Sequence, residues 1–261
     1  MSKKNPDEIK KSVRDLYSTL AKQQSPCCAP PQSSTCSCSQ PAPITRTRHL
    51  YSKQELESIA IDIPSLGCGN PIALSQLKPG ETVLDLGSGG GLDCFLAAKQ
   101  VGPKGKVIGL DMTPEMIKLA RTNADKMGVK NVEFRLGEME HMPVDSDSVD
   151  VVISNCVINL SPDKDAVFRE AYRVLKPGGR LCVSDIVTHG ELPESVRQDL
   201  SQWAGCVAGA LEEKVYLKKI RDAGFTRLTS AEVNLSPDKE KAARKASVPI
   251  ASVAVTAYKP K

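Results

Sequence analysis

From about residue 80 onward the chain alternates short apolar runs with segments of helical period, a rhythm that permits little besides a parallel sheet wrapped by helices. "TVLDLG" reads as a strand, "LDCFLAAKQV" as a helix, "KVIGLDM" as a strand and "TPEMIKLARTNADKMG" as a helix. In the last of these Thr113 is the N-cap, Pro114 takes the first helical position and Glu115 lies near the positive helix end. "VEFRLG" and "VDVVISN" supply two more strands, "KDAVFREAYRVL" a helix stopped by "KPGG", and "RLCVSDIV" a fifth strand. A mostly helical stretch through Trp203 and Cys206 follows, then a helix over "VYLKKIRDAGF" and two β-rich segments near 226–235 and 249–258.

The first strand turns into its helix through "DLGSGGGLD", Asp85 to Asp93. A dinucleotide cradle needs glycine at the first, third and sixth places; counting from Gly87 the sixth is Leu92, and no phosphate-binding lysine follows. Gly87, Gly89 and Gly91 alternate instead, which lets a ligand approach the backbone while a helix amino terminus offers N–H groups to an anion. With Asp85 facing an ammonium group, such a pocket suits a zwitterionic amino-acid head, the amino-acid portion of S-adenosylmethionine. Ser88 and Asp93 belong to the same turn and are cofactor-binding candidates with it. Asp111 ends the second strand, where a carboxylate accepts from both ribose hydroxyls, and Thr113 follows it. Glu138 after the third strand is expected to take the adenine amine, with Met112 and Met139 on the two ring faces. Over roughly residues 67–190 the chain resembles the class I S-adenosylmethionine-dependent methyltransferases. The resemblance implies an α/β, Rossmann-like fold whose seven-stranded, mostly parallel sheet carries helices on both faces and ends in an antiparallel pair.

Nine cysteines is a high and odd count, and the amino terminus lacks the apolar run of a signal peptide, so a cytoplasmic, reducing location is expected. The thiols then need an account other than disulfides. Asn155 and Cys156 end the fourth strand, where fold logic puts the cofactor's reactive sulfur. Cys156 alone is as readily packing filler as a functional group. Cys68, in "SLGCGNP", sits in turn chemistry, and Cys206, in "WAGCVAGAL", lies in the segment that must cover the site. Cys94 and Cys182 have aliphatic neighbours and are assigned to the core. None of His49, His141 and His189 lies in a motif that would supply a base, and no CxxC pair suggests zinc. A thiophilic metalloid remains.

The stretches "GCGNP", "DLGSGGGLDC", "IGLDMTPEM", "SNCVINLSPDK", "RVLKPGG" and "AGCVAGAL" are similar to those of the microbial arsenite S-adenosylmethionine methyltransferases. By that resemblance Cys68, Cys156 and Cys206 are the arsenic-handling thiols, both catalytic and ligating trivalent arsenic, and arsenite or its thiol conjugate is the substrate. A disulfide between Cys68 and another site cysteine would return two electrons to arsenic, with glutathione or thioredoxin as reductant. The rival readings are a methyltransferase for a quinone-like carbon or oxygen centre, which needs a base, and a metalloid-binding protein without turnover.

The resulting organisation is an amino-terminal helix and mobile Cys/Pro/Ser-rich arm over 1–62, a cofactor-binding domain over 63–187, and over 188–261 a cysteine-bearing substrate cap with the last helix and terminal β-hairpin. Within the arm, Cys27, Cys28, Cys36 and Cys38 either capture arsenite for delivery or are tolerated in a tail. A charge of +4 with interspersed signs, and aromatic residues at 4%, speak against nucleic acid as partner. No window approaches a membrane span, and no long exposed apolar seam calls for a second copy, so a monomer is expected.

Overall fold

Period-two alternation places successive residues of each strand on opposite faces of the sheet, and two separate apolar layers result. In a computed structural model, which describes residues 5–23, 50–59, 61, 63, 66–200, 203, 206–233 and 248–261, β1 (Thr82–Leu86) sends Leu84 and Leu86 to one face and Val83 to the other. The first layer is completed by α6 (Lys164–Val174), whose Val167, Phe168, Ala171 and Val174 recur at helical spacing, and by Tyr216 and Ile220 of α8 (Glu213–Asp222). The second is built from α4 (Leu92–Val101) and α5 (Pro114–Met127), with α3 (Pro71–Ser75) and α2 (Lys53–Glu57) alongside.

With β2 (Lys106–Asp111), β3 (Val132–Leu136), β4 (Val149–Asn155), β5 (Leu175–Thr188), β7 (Thr226–Val233) and β8 (Ile250–Tyr258), the strand order is β3-β2-β1-β4-β5-β8-β7. β1 to β5 run parallel to one another, while β8 is antiparallel to both β5 and β7. This is the expected seven-stranded path. An eighth, two-residue strand, β6 (Leu211–Glu212), pairs with the end of β5 and was not foreseen.

Two further differences have local causes. β5 begins at Leu175 rather than after "KPGG": Pro177 disfavours helix at Lys176, so the backbone becomes extended at once, and a register shift against β4 between Val149 and Val151 absorbs the irregularity. The expected helical stretch before Cys206 contains α7 (Glu194–Arg197), and the described residues from Cys206 to Gly209 form turns. The arm with Cys27, Cys28, Cys36 and Cys38 lies outside the described residues, as do His49 and the end of the segment expected to 235.

The amino-terminal helix α1 (Pro6–Gln23) forms as its apolar spacing predicts, burying Ile9 and Val13. Its place matters more than its existence. Lys10 pairs with Glu138 and Glu140, Arg14 with Glu138 and Lys22 with Glu115, which lays α1 across the carboxyl ends of the parallel strands.

Candidate functional site

Beyond those strand ends lies a cleft of about 1200 Å³, open to solvent, lined by the glycine turn, the ends of β1, β2 and β4, and Lys10, Val13 and Tyr17 of α1. Gly87 has φ of 66°, and a Cβ there would stand 2.3 Å from Val157, so only glycine gives this turn. Gly89 is also left-handed, at φ 50°, but an added Cβ would meet nothing within 4 Å because it points into open space.

Three carboxylates confront this space from adjacent elements. Asp85 is 2% exposed and accepts from the Cys94 thiol at 3.2 Å; burial, and then the neighbouring Asp93 carboxylate, push it well above the ordinary carboxylate range. Asp93 accepts from Tyr51 Oη at 2.8 Å and Asn155 Nδ2 at 3.2 Å, and burial still raises it to about 6. Asp111 is raised by burial as well, although the N–H groups of Gly89 and Thr113 donate to it at 2.9 and 2.8 Å. Three desolvated acids so close together favour a cation among them.

The other expected cofactor residues divide. Ser88, Met112, Thr113 and Met139 line the cleft, and Ser88 Oγ is buried without a hydrogen-bond partner. Glu138, expected to meet adenine, is not among the lining residues: its carboxylate is turned to Lys10 at 2.6 Å and Arg14 at 3.4 Å and anchors α1. Asn155 lines the cleft but spends its amide on other protein groups. Its Oδ1 accepts from the N–H groups of Cys68 and Gly69 at 2.9 and 3.2 Å, and its Nδ2 donates to Tyr51 Oη, Gly69 O and Asp93. One side chain thus ties the Cys68 turn to the carboxylate cluster.

Cys68, Cys156 and Cys206, from three distant parts of the chain, are all buried and share one apolar cluster with Leu160, Ile186 and Val207. Cys156 also lines the cleft. The Sγ atoms of Cys68 and Cys156 and a carboxylate oxygen of Asp185 lie within 4.8 Å of one another. Cys206 stands beside them, its thiol donating to the Cys156 carbonyl at 2.9 Å. Both Cys156 and Cys206 adopt left-handed backbone, with φ of 62° and 67°, a conformation that is uncommon for residues with a Cβ. Cys182 is buried in the core as expected, whereas Cys94, equally buried, also touches Asp85.

Sequence reasoning missed the support behind the thiols. Asp185 is fully buried; its Oδ1 accepts from Asn159 Nδ2 at 2.8 Å and the Ile186 N–H at 2.9 Å, and its Oδ2 from Tyr216 Oη at 3.1 Å. Lys164, in "SPDK", is buried too, donating to the carbonyls of Ser161 and Asn159 and lying 5.4 Å from the Trp203 ring, and burial lowers it to about 8. A buried lysine with carbonyl partners leaves no trace in composition or periodicity. Tyr51, Lys10 and Tyr17 were missed for the same reason.

Residues 77–224 match the family model described as a methyltransferase domain. The chain is 47% identical over 229 residues to the arsenite methyltransferase of Halobacterium salinarum, covering 85% of this chain and 58% of that protein. Identity to the arsenite methyltransferase of Homo sapiens is 36% over 245 residues, covering 89% of this chain and 63% of the human protein. The crystal structure of an arsenic(III) S-adenosylmethionine methyltransferase from Chlamydomonas reinhardtii superposes with a TM-score of 0.63 at 36% identity, over 79% of this chain and 73% of the other. The chain therefore spans less than two thirds of the length of the two curated relatives.

Proposed function

The chain belongs to the methyltransferase-domain family, and we propose that it methylates trivalent arsenic held by Cys156, Cys206 and Cys68. One observation carries this reading: Cys156 belongs at once to the carboxylate-lined cleft and to the buried thiol cluster, so it joins a cofactor end to a soft-ligand end.

The cleft fits S-adenosylmethionine. Ser88 Oγ is a buried hydroxyl without a partner, the space over Gly89 is clear, and three desolvated carboxylates await positive charge. When bound, S-adenosylmethionine supplies a methyl group on a cationic sulfur. Asp85 and Asp93 hold the ammonium end, Asp111 orients the ribose, Met112 and Met139 contact the adenine, and α1 shields the cleft from water.

At the other end, arsenite exchanges its oxygens for thiolate sulfurs, releasing water. Arsenic bound this way is pyramidal and keeps a lone pair, which carries no proton. The reaction then needs no histidine base, and His189 is engaged elsewhere, with Glu232 at 2.9 Å. Asn155 fixes the Cys68 turn, and the left-handed backbone at Cys156 and Cys206 aims their thiols, so catalysis is largely positioning, a term that can reach roughly 7–11 kcal/mol. Methyl transfer takes arsenic from the trivalent to the pentavalent state, and two electrons from a glutathione or thioredoxin system restore it. Incubation with S-adenosylmethionine, arsenite and glutathione, followed by separation of methylated arsenicals, tests the reading; product formation that persists in Cys156→Ser refutes it.

A further inference from the structure

The missing CxxC spacing argues against zinc only for ligands close in sequence; the fold assembles a different set from residues 68, 156 and 185. We propose that Cys68, Cys156 and Asp185 form a binding site for a borderline divalent cation such as zinc, at which the cation competes with a thiophilic metalloid. The cation set is argued from geometry alone, and only the competition rests on the reading that these thiols hold arsenic.

Zinc takes thiolate sulfur at about 2.3 Å and carboxylate oxygen at about 2.0–2.2 Å, so ligand atoms around a tetrahedral ion lie roughly 3.5–3.8 Å apart. The three donor atoms here already lie within 4.8 Å of one another, close enough to draw in without moving a strand. Two are on adjacent paired strands: Cys156 follows Asn155, which pairs with Ser184, the neighbour of Asp185. The third, Cys68, sits on a turn held by Asn155 and by Ser252, whose hydroxyl donates to the Cys68 carbonyl at 2.9 Å.

The carboxylate has the outer support that metal-ligating side chains require. Asn159, Tyr216 and the Ile186 N–H set its orientation. A carboxylate oxygen carries two lone pairs, so Oδ2 can ligate a cation while it accepts from Tyr216. Charge also balances. Two thiolates and a carboxylate exceed a dication by one negative charge, and the buried ammonium of Lys164, bonded to the carbonyl of Asn159, offsets it. Access runs through the cleft that Cys156 lines, and a fourth coordination position remains for water. Cys206 is outside the set, since its thiol is turned to the Cys156 carbonyl.

Cobalt(II), a coloured substitute for zinc, is titrated without oxygen and with a phosphine reductant into the full chain carrying serine at Cys27, Cys28, Cys36 and Cys38. A sulfur-to-cobalt absorption band should saturate at one equivalent, and zinc and arsenite should each abolish it. Cys68→Ser, Cys156→Ser and Asp185→Asn should each weaken binding by at least about 10–100-fold, the loss that removal of even an outer-shell partner gives. Asp185→Asn keeps the oxygen that faces Asn159 and Ile186, so two of the three supporting hydrogen bonds are retained while the oxygen facing Tyr216 becomes an amide nitrogen that cannot ligate. Cys206→Ser and His189→Ala should leave affinity within about threefold, no more than a substitution outside a ligand set commonly changes it. Binding that survives Cys68→Ser and Cys156→Ser, that requires Cys206 or His189, or that arsenite does not displace, overturns the proposal. Loss of arsenite methylation in Cys206→Ser with cobalt binding intact would separate the two readings of the same cavity.

Discussion

On one side of the cleft Asp85, Asp93 and Asp111 are buried carboxylates raised by desolvation; on the other, Cys68, Cys156 and Cys206 are buried thiols in an apolar cluster. The acids come from two neighbouring strand ends and the first turn of α4, within 27 positions of sequence spanning 85–111. The thiols come from a loop before β1, the end of β4 and the segment before β6. In the proposed reading the first group takes a cation and relies on electrostatics, and the second takes a soft atom and relies on geometry, with Asn155 and left-handed backbone setting the aim.

That contrast is sharpest in the thiols. Cys156→Ser or Cys206→Ser should cut arsenite methylation by about 100-fold or more through loss of positioning, while calorimetry finds S-adenosylmethionine affinity little changed. Equal loss of both would mean that the two sides are not separable. The reverse case is Asp85→Asn, which removes a charge-assisted contact of about 1.5–3 kcal/mol, or roughly 10–150-fold in cofactor affinity. Arsenite binding, read from the fluorescence of Trp203 on the thiol side, should be retained.

Protonation offers a milder lever. Because Asp93 is raised to about 6, the ligand-free fold binds its proton more tightly than the unfolded chain does, and stability falls as pH climbs from the ordinary carboxylate range through about 6. Cofactor binding runs the other way, strengthening over that window as the carboxylate ionises. Affinity measured across it should rise severalfold in the parent and less steeply in Asp93→Asn, where Asp85 and Asp111 still ionise. An equally steep profile in both would place the cation elsewhere.

Smaller still is the contribution of α1. Its ion pairs with Glu138 are partly exposed, so Lys10→Ala with Arg14→Ala should weaken cofactor binding by at most about fivefold, with the difference vanishing in high salt. Cys182→Ala makes the least change to chemistry: a core thiol outside both groups, it should lower stability by about 1 kcal/mol, seen as a reduced Tm, with turnover preserved.

Local patterns announced much of this. Strand and helix periods gave away the sheet, glycine alternation marked the left-handed turn that lines the cleft, and Asp85 and Asp111 stood at strand ends that face it. Glu138 shows what local reasoning cannot see: expected after β3 to face adenine, it is paired with two cations from a helix over 120 residues away. Asp185 and Lys164 show the converse, since an aspartate in an apolar strand and a lysine opening a helix look ordinary until their partners are known.

The amino-acid sequence by itself determined the parallel sheet, the glycine turn and the identity of the thiols worth watching, because periodicity, backbone permissiveness and side-chain chemistry act within a few residues. Tertiary structure alone decided that Cys68 reaches Cys156, that Asp185 stands with them, and that α1 closes over the acids. Those facts depend on which strands lie side by side and on the burial that follows, and burial sets the strength of every charge in the cleft.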